Sequence, residues 1–206
     1  MLDQTQRQTS AAAARASRPG AIILTRHGEP ALSRRCRLTA DEYRRWWNEY
    51  EEGGLLGGQN PPSCLLEVSE RAVILHSTRR RAVETARAVA GDRPVIADSL
   101  FIEAPLPPPR FPDWIRLSPR AWGVVARFWW WMFDHHEGQE TRDEAKARAR
   151  RAAQVLIEHA ERGEDVLVLA HGFFNGMVGV ELGKQGWRCV QDQGFRYWST
   201  RRFEKR

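Results

Sequence analysis

The chain has 206 residues, enough for one sizeable hydrophobic core and too few for two full domains of ordinary size. With 42% hydrophobic and 28% charged residues, it has the composition of a soluble globular protein, not that of a collagen-like or disordered one. The formal net charge of +6 and a pI near 9.8 favour anionic partners, and the scatter of basic residues from Arg26 to Arg206 favours small anions over nucleic acid.

Residues 1–19 carry Arg7, Arg15 and Arg18 and lack the apolar run of a secretory signal. Their Ser-rich, acid-poor makeup is faintly similar to a transit peptide; the reading adopted is a flexible tail, with 20–206 as a single domain. The run 21–25 is short, continuous and β-branched, which predicts a buried strand. Thr39-Ala40-Asp41-Glu42 is a capping box, and Tyr43, Trp46, Trp47 and Tyr50 follow at helical spacing until Gly53-Gly54. A Gly/Pro/Asn-rich loop is expected over 53–63. Next come a buried strand at 72–75, a helix over about 79–90 ended by Gly91, and a short strand at 94–97.

The proline-rich run 105–109 reads as irregular, and 113–133 as helical despite Pro119 and Gly123. Together 105–140 is expected to be an insertion, a lid or substrate wall; Trp114, Trp122 and Trp129 to Trp131 could stack on a substrate's ring, but most are expected to be core. The aromatic run Phe128 to Phe133 ends an apolar stretch, Ala121 to Phe133, that is interrupted by Arg127 and too short to span a bilayer; an interfacial anchor is the weaker alternative. A second capping box, Thr141 to Glu144, opens a helix whose Ala145, Ala149, Ala153, Leu156, Ile157 and Ala160 form one stripe up to Gly163. The run 165–170 is the last strong strand. Strands alternating with helices, and strands apolar throughout, predict an α/β fold: a three-layer α/β/α sandwich around a mostly parallel sheet.

In such sheets ligands bind beyond the carboxyl ends of the strands. There the three strong strands deliver Arg26-His27-Gly28, His76-Ser77 followed by Arg79 to Arg81, and His171-Gly172. Arginine forks match phosphoryl oxygens, a neutral imidazole can attack phosphorus, and glycine after each histidine admits a close backbone approach. Cys36, Cys64 and Cys189 lack metal-ligand spacing and read as reduced thiols in a cytoplasmic protein. His135-His136 beside Glu137 reads as a loop dipeptide, not a metal site.

Three motifs, LTRHGEP at 24–30, Ser77-Thr78-Arg79-Arg80-Arg81-Ala82-Val83-Glu84-Thr85-Ala86, and Val168 to Gly172, resemble the signatures of the histidine phosphatase superfamily, the phosphoglycerate mutase-like fold. The resemblance covers about 20–182. It implies a phosphatase working through a phosphohistidine on His27. Arg26 and Arg81 would clamp the phosphoryl oxygens, His171 would donate a further hydrogen bond, and Gly28 and Gly172 would line the substrate site. Glu103 would supply the proton, its pKa raised among Leu100, Phe101 and Ile102, with Asp98 and Glu29 as alternative acids. Arg79 and Arg80 are expected to be solvated. Arg34, Arg35 and Arg37 are equal candidates for a further phosphate contact.

The chain lacks the asparagine usual after the first motif, and Ala104 to Pro107 stands where mutases often carry an aromatic-Glu-Gly stretch. Both departures favour a phosphatase. The alternatives are a phosphoglycerate mutase-like phosphoryl transferase and a weakly catalytic member binding phospho-ligands or a protein. No metal, cofactor, nucleic acid or membrane span is expected; the partner is a phosphorylated small-molecule substrate.

Overall fold

The computed structural model describes residues 18–205; residues 1–17, which hold most of the expected tail, and residue 206 lie outside the described residues. Six strands form one sheet: β1 (Ile22–Arg26), β2 (Val73–His76), β3 (Ile96–Ala97), β4 (Val166–Ala170), β5 (Trp187–Asp192) and β6 (Thr200–Lys205). Their spatial order is β3-β2-β4-β1-β6-β5. The first four run parallel, as expected, whereas β6 lies antiparallel to β1 and β5 antiparallel to β6.

The continuous apolar runs of β1, β2 and β4 follow from burial on both faces. Ile22, Leu24, Leu75, Val166 and Val168 join one core cluster. Their strand neighbours Ala21, Ile23, Ile74, Leu167 and Leu169 join another. The first cluster packs against α5 (Arg142–Glu161) and α6 (Gly172–Lys184), and the second against α2 (Ser63–Ser69) and α3 (Arg80–Ala90). These are the three layers. The predicted alanine-rich stripe of α5 is buried along its length. A third, aromatic cluster joins α1 (Ala40–Glu52) to α4 (Pro119–Phe133) through Tyr43, Trp46, Tyr50 and Trp122.

Both capping boxes form as predicted, Thr39 with Glu42 and Thr141 with Glu144. Other expectations need correction. The helix expected from 113 starts at Pro119, because proline fits the first helical position, where no intrahelical N–H is needed. The proline-rich run is irregular, as expected, and its Leu106 to Pro109 are buried. α2 begins where only a loop was expected, and α6, β5 and β6 follow a strand after which no element was read. No described helix is long and apolar enough to cross a membrane.

Candidate active site

Arg26 at the end of β1 pairs in register with Ala170 at the end of β4, so His27 and His171 leave the sheet side by side. The His27 N–H donates to the Ala170 carbonyl at 2.9 Å, and the two imidazole centroids lie 5.3 Å apart, edge to face. Both rings are buried.

Their tautomers follow from their partners. His27 Nδ1 lies 2.7 Å from the Gly28 carbonyl, which only accepts, so Nδ1 carries the proton. Arg81 Nε, which only donates, lies 3.3 Å from His27 Nε2, leaving that nitrogen its lone pair. Likewise Arg81 Nη2 donates to His171 Nδ1 at 3.3 Å, and His171 Nε2–H donates to Ser77 Oγ at 2.9 Å. Burial, and then the positive charge of Arg81, hold both imidazoles well below their ordinary pKa of 6.5. His27 is therefore neutral and able to attack an electrophile. His171 accepts from Arg81 at Nδ1, and its one N–H is committed to Ser77.

Arg81 is 1% exposed and held from behind: Nη2 to Glu51 Oε1 at 2.7 Å, Nη1 to the Tyr50 carbonyl at 2.9 Å. Glu51 also ion-pairs with Arg79 at 2.8 Å, so Arg79 is not the freely solvated residue expected. Arg80 is exposed and pairs with Glu84 along its own helix. Arg26, whose pKa burial lowers, lies 4.4 Å from the Tyr197 ring and donates to the Phe195 carbonyl; its Nε has no hydrogen-bond partner among the described residues.

The glycines serve packing. A Cβ on Gly28 would fall 2.5 Å from the Trp198 indole, and the Gly28 N–H is already bonded to Thr85 Oγ1 at 3.1 Å. A Cβ on Gly172 would press on Arg26 Cδ at 3.3 Å. Gly172 lines the cleft beside Arg26, as expected, whereas Gly28 does not. Trp198 itself sits at φ 61, a strained backbone for a bulky residue.

Glu103 follows the turn Ser99–Phe101 and lines the same cleft as His27. Its carboxylate accepts the Phe174 N–H at 2.8 Å and the Phe173 N–H at 3.4 Å, in the first turn of α6. This polar setting replaces the apolar one expected from Leu100, Phe101 and Ile102, because Phe101 turns into the core. Arg148, itself paired with Glu140, braces the turn by donating to the Leu100 and Ile102 carbonyls at 2.9 and 2.8 Å. Of the alternative acids, Asp98 caps that turn and faces a neighbouring cavity, whereas Glu29 lies exposed at the cleft.

The cleft measures about 810 Å3 and is lined by Arg26, Arg34, Arg81, Arg120, Arg127 and Arg196, with Glu29 and Glu103 as its carboxylates. This excess of cations suits a polyanionic group. Of Arg34, Arg35 and Arg37, Arg34 reaches the cleft, bonded to the Tyr50 hydroxyl at 2.6 Å. Trp46, Trp47, Tyr50 and Tyr197 form its aromatic wall; the tryptophans suspected from 114 to 131 do not line it. Trp122 and Trp130 are core, while Trp114 and Trp131 are exposed. Among the described residues no group of three His, Cys, Asp or Glu side chains could hold a metal ion.

A model of the histidine phosphatase superfamily (branch 1) matches residues 63–192. The chain belongs to that superfamily. Residues 24–30, which carry Arg26 and His27, lie outside the matched span but converge in space with His171 and Arg81 inside it. No curated protein sequence matches the chain. Solved structures share its fold: a mycobacterial hydrolase is 18% identical over 90% of each chain, with a TM-score of 0.56. A mycobacterial glucosyl-3-phosphoglycerate phosphatase is 20% identical over 81% of each chain, with a TM-score of 0.51. A histidine-to-alanine variant of phosphoserine phosphatase from Entamoeba histolytica, in complex with phosphoserine, is 15% identical over 80% of each chain, with a TM-score of 0.53.

The depressed histidines of this superfamily member carry a stability consequence. Unfolded histidines bind protons below about pH 6.5, and the buried pair in the folded chain does not. Stability from this source is therefore fully present above that pH and is lost as pH falls. Two such groups should cost at most about 2–3 kcal/mol between about pH 7.5 and 5.5. Urea unfolding across that range checks this. A flat profile would mean that the rings take up protons in the folded state.

Proposed function

We propose that the chain is a phosphatase that hydrolyses a small phosphomonoester through a phosphohistidine on His27. The observation that carries this reading is the buried, neutral His27 with its Nε2 lone pair facing Arg81. The long contacts of Arg81, 3.3 Å to each imidazole, are readily exchanged for phosphoryl oxygens. Its short contacts to Glu51 and the Tyr50 carbonyl hold it in place meanwhile.

His27 Nε2 attacks phosphorus, the P–O ester bond breaks, and Glu103, entering the step in its neutral acid form, protonates the leaving alkoxide and is left ionised. Ionised Glu103 then takes a proton from the water that cleaves the P–N bond, releasing phosphate. With Arg81 drawn onto the phosphoryl group, the His171 proton can move to Nδ1 and the Ser77 hydroxyl can turn to donate to Nε2. His171 would then supply the further hydrogen bond. Arg26 and Arg34 complete the anion clamp. Glucosyl-3-phosphoglycerate and phosphoserine, named for the structural relatives, indicate the size of compound to screen. The three cysteines are unbridged, which agrees with a reducing compartment such as the cytoplasm. Rapid quenching with a 32P-labelled phosphomonoester should trap acid-labile label on the protein; phosphate release without such label would overturn the covalent route.

Glu103→Gln should slow alkyl phosphates roughly 100-fold and p-nitrophenyl phosphate less than about 10-fold, because a nitrophenolate leaves without a proton. Glutamine can still accept the Phe174 N–H. Equal losses on both substrates would remove Glu103 from the proton-donor role.

A further inference from the structure

α4 is apolar on both sides, yet only one side is packed. Pro119, Trp122, Gly123, Ala126 and Trp130 are buried. On the outer side Val124, Phe128, Trp131, Met132 and Phe133 are 45–66% exposed. From Ala121 to Phe133 the single charged residue is Arg127. A surface helix ordinarily turns polar residues outward, and an apolar face of this kind marks a contact surface.

The surroundings indicate what covers it. Arg120 is exposed at the start of the helix. At its far end Arg142 donates to the Trp131 carbonyl at 2.8 Å, and Lys146 Nζ lies 5.3 Å from the Trp131 ring centroid. Two acids stand nearby. Asp143 pairs with Lys146 and Arg142, and Asp134 accepts the Arg142 backbone N–H. Cations therefore outnumber acids around the patch. A second copy would set this cationic rim against its own like, which disfavours self-association. Tryptophan, phenylalanine and methionine framed by Arg and Lys suit the headgroup boundary of an anionic bilayer.

We propose that the outer face of α4 docks on a membrane surface rich in anionic lipid, with Phe128, Trp131, Met132 and Phe133 entering the headgroup boundary. Arg120 pairs with lipid phosphates, and Arg142 and Lys146 exchange the exposed Asp143 for them. Val124 and Arg120 also line the catalytic cleft, so docking sets the cleft beside the headgroups. The contact is peripheral and does not depend on the phosphatase reading.

Sedimentation with phosphatidylcholine vesicles, with and without phosphatidylglycerol, tests it. The full chain should sediment with the mixed vesicles and far less with phosphatidylcholine alone. The triple variant Phe128→Ser/Trp131→Ser/Met132→Ser should lose about tenfold or more in partitioning, and Lys146→Glu several-fold. The thermal unfolding midpoint of both variants should stay within a few degrees of the parent, because the replaced side chains are exposed. The proposal is overturned if the parent ignores mixed vesicles, if it binds both vesicle types equally, or if the folded triple variant binds undiminished. It is equally overturned if sedimentation velocity without lipid shows a dimer that the triple variant converts to monomer.

Discussion

Replacing His27 by alanine is expected to reduce phosphate release at least about 1000-fold and to abolish acid-labile labelling, because the attacking lone pair is removed outright. The fold should survive. His27 is buried but borders an open cleft, so water can occupy the vacated space. The backbone bond from the His27 N–H to Ala170 is untouched by the substitution. The check is steady-state turnover and quenched labelling on a variant whose near-ultraviolet circular dichroism matches the parent. Wild-type turnover in such a variant would sink the phosphohistidine mechanism, whichever substrate is used.

Arg81→Ala is the second large effect and should act twice. Charge redistributes on the transferring group only in the transition state, so losing the guanidinium should lower kcat roughly 100- to 1000-fold with a smaller change in KM. Arg81 also satisfies the half-buried Glu51, leaving that carboxylate only Arg79 when it is removed. Breaking a buried pair from one side typically costs about 3–5 kcal/mol, so the thermal midpoint should fall as well. Arg79→Ala leaves the Arg81–Glu51 contact standing and should cost little in either measurement. If Arg79→Ala proved the more damaging to kcat, the phosphoryl clamp would belong to Arg79. Arg81→Lys would separate charge from geometry, because lysine lacks the fork that reaches Glu51 and both imidazoles at once.

What was legible in the sequence was what burial and motif spacing write locally. β1, β2 and β4 are apolar throughout because helices cover both faces, and their carboxyl ends bring Arg26, His27, Arg81 and His171 together as expected. β5, the edge strand, and β6, which pairs with it on one side and with β1 on the other, carry no apolar signal in the sequence. Only Trp187 and Phe203 of these strands are buried, so no apolar period marks them. α6 contains Gly172, Gly176, Gly179 and Gly183, which hide a buried helix behind poor propensity. Glu51 lies at the end of α1 with no motif around it, and its role emerges only when α1 packs over Arg81. The same holds for Arg148, whose guanidinium braces a turn more than forty positions earlier in the chain. The setting of Glu103 was misjudged because sequence neighbours are not spatial ones. Phe101 leaves for the core while the carboxylate meets the backbone of α6.

The segment between β5 and β6 has a temporal consequence. Tyr197 stacks beneath Arg26 and beside His27, and Trp198 fills the space that Gly28 leaves. These partners are separated by about 170 positions of chain. At roughly 5–20 residues per second, a ribosome takes on the order of 10–30 s to travel between them. Throughout that interval the nascent strand β1 carries its Arg-His pair without the aromatic cover or the Phe195 carbonyl that anchors Arg26. The cleft is thus completed late in translation, when β6 can pair with β1. A chain arrested before Trp198 would hold every signature motif and still have no finished cleft.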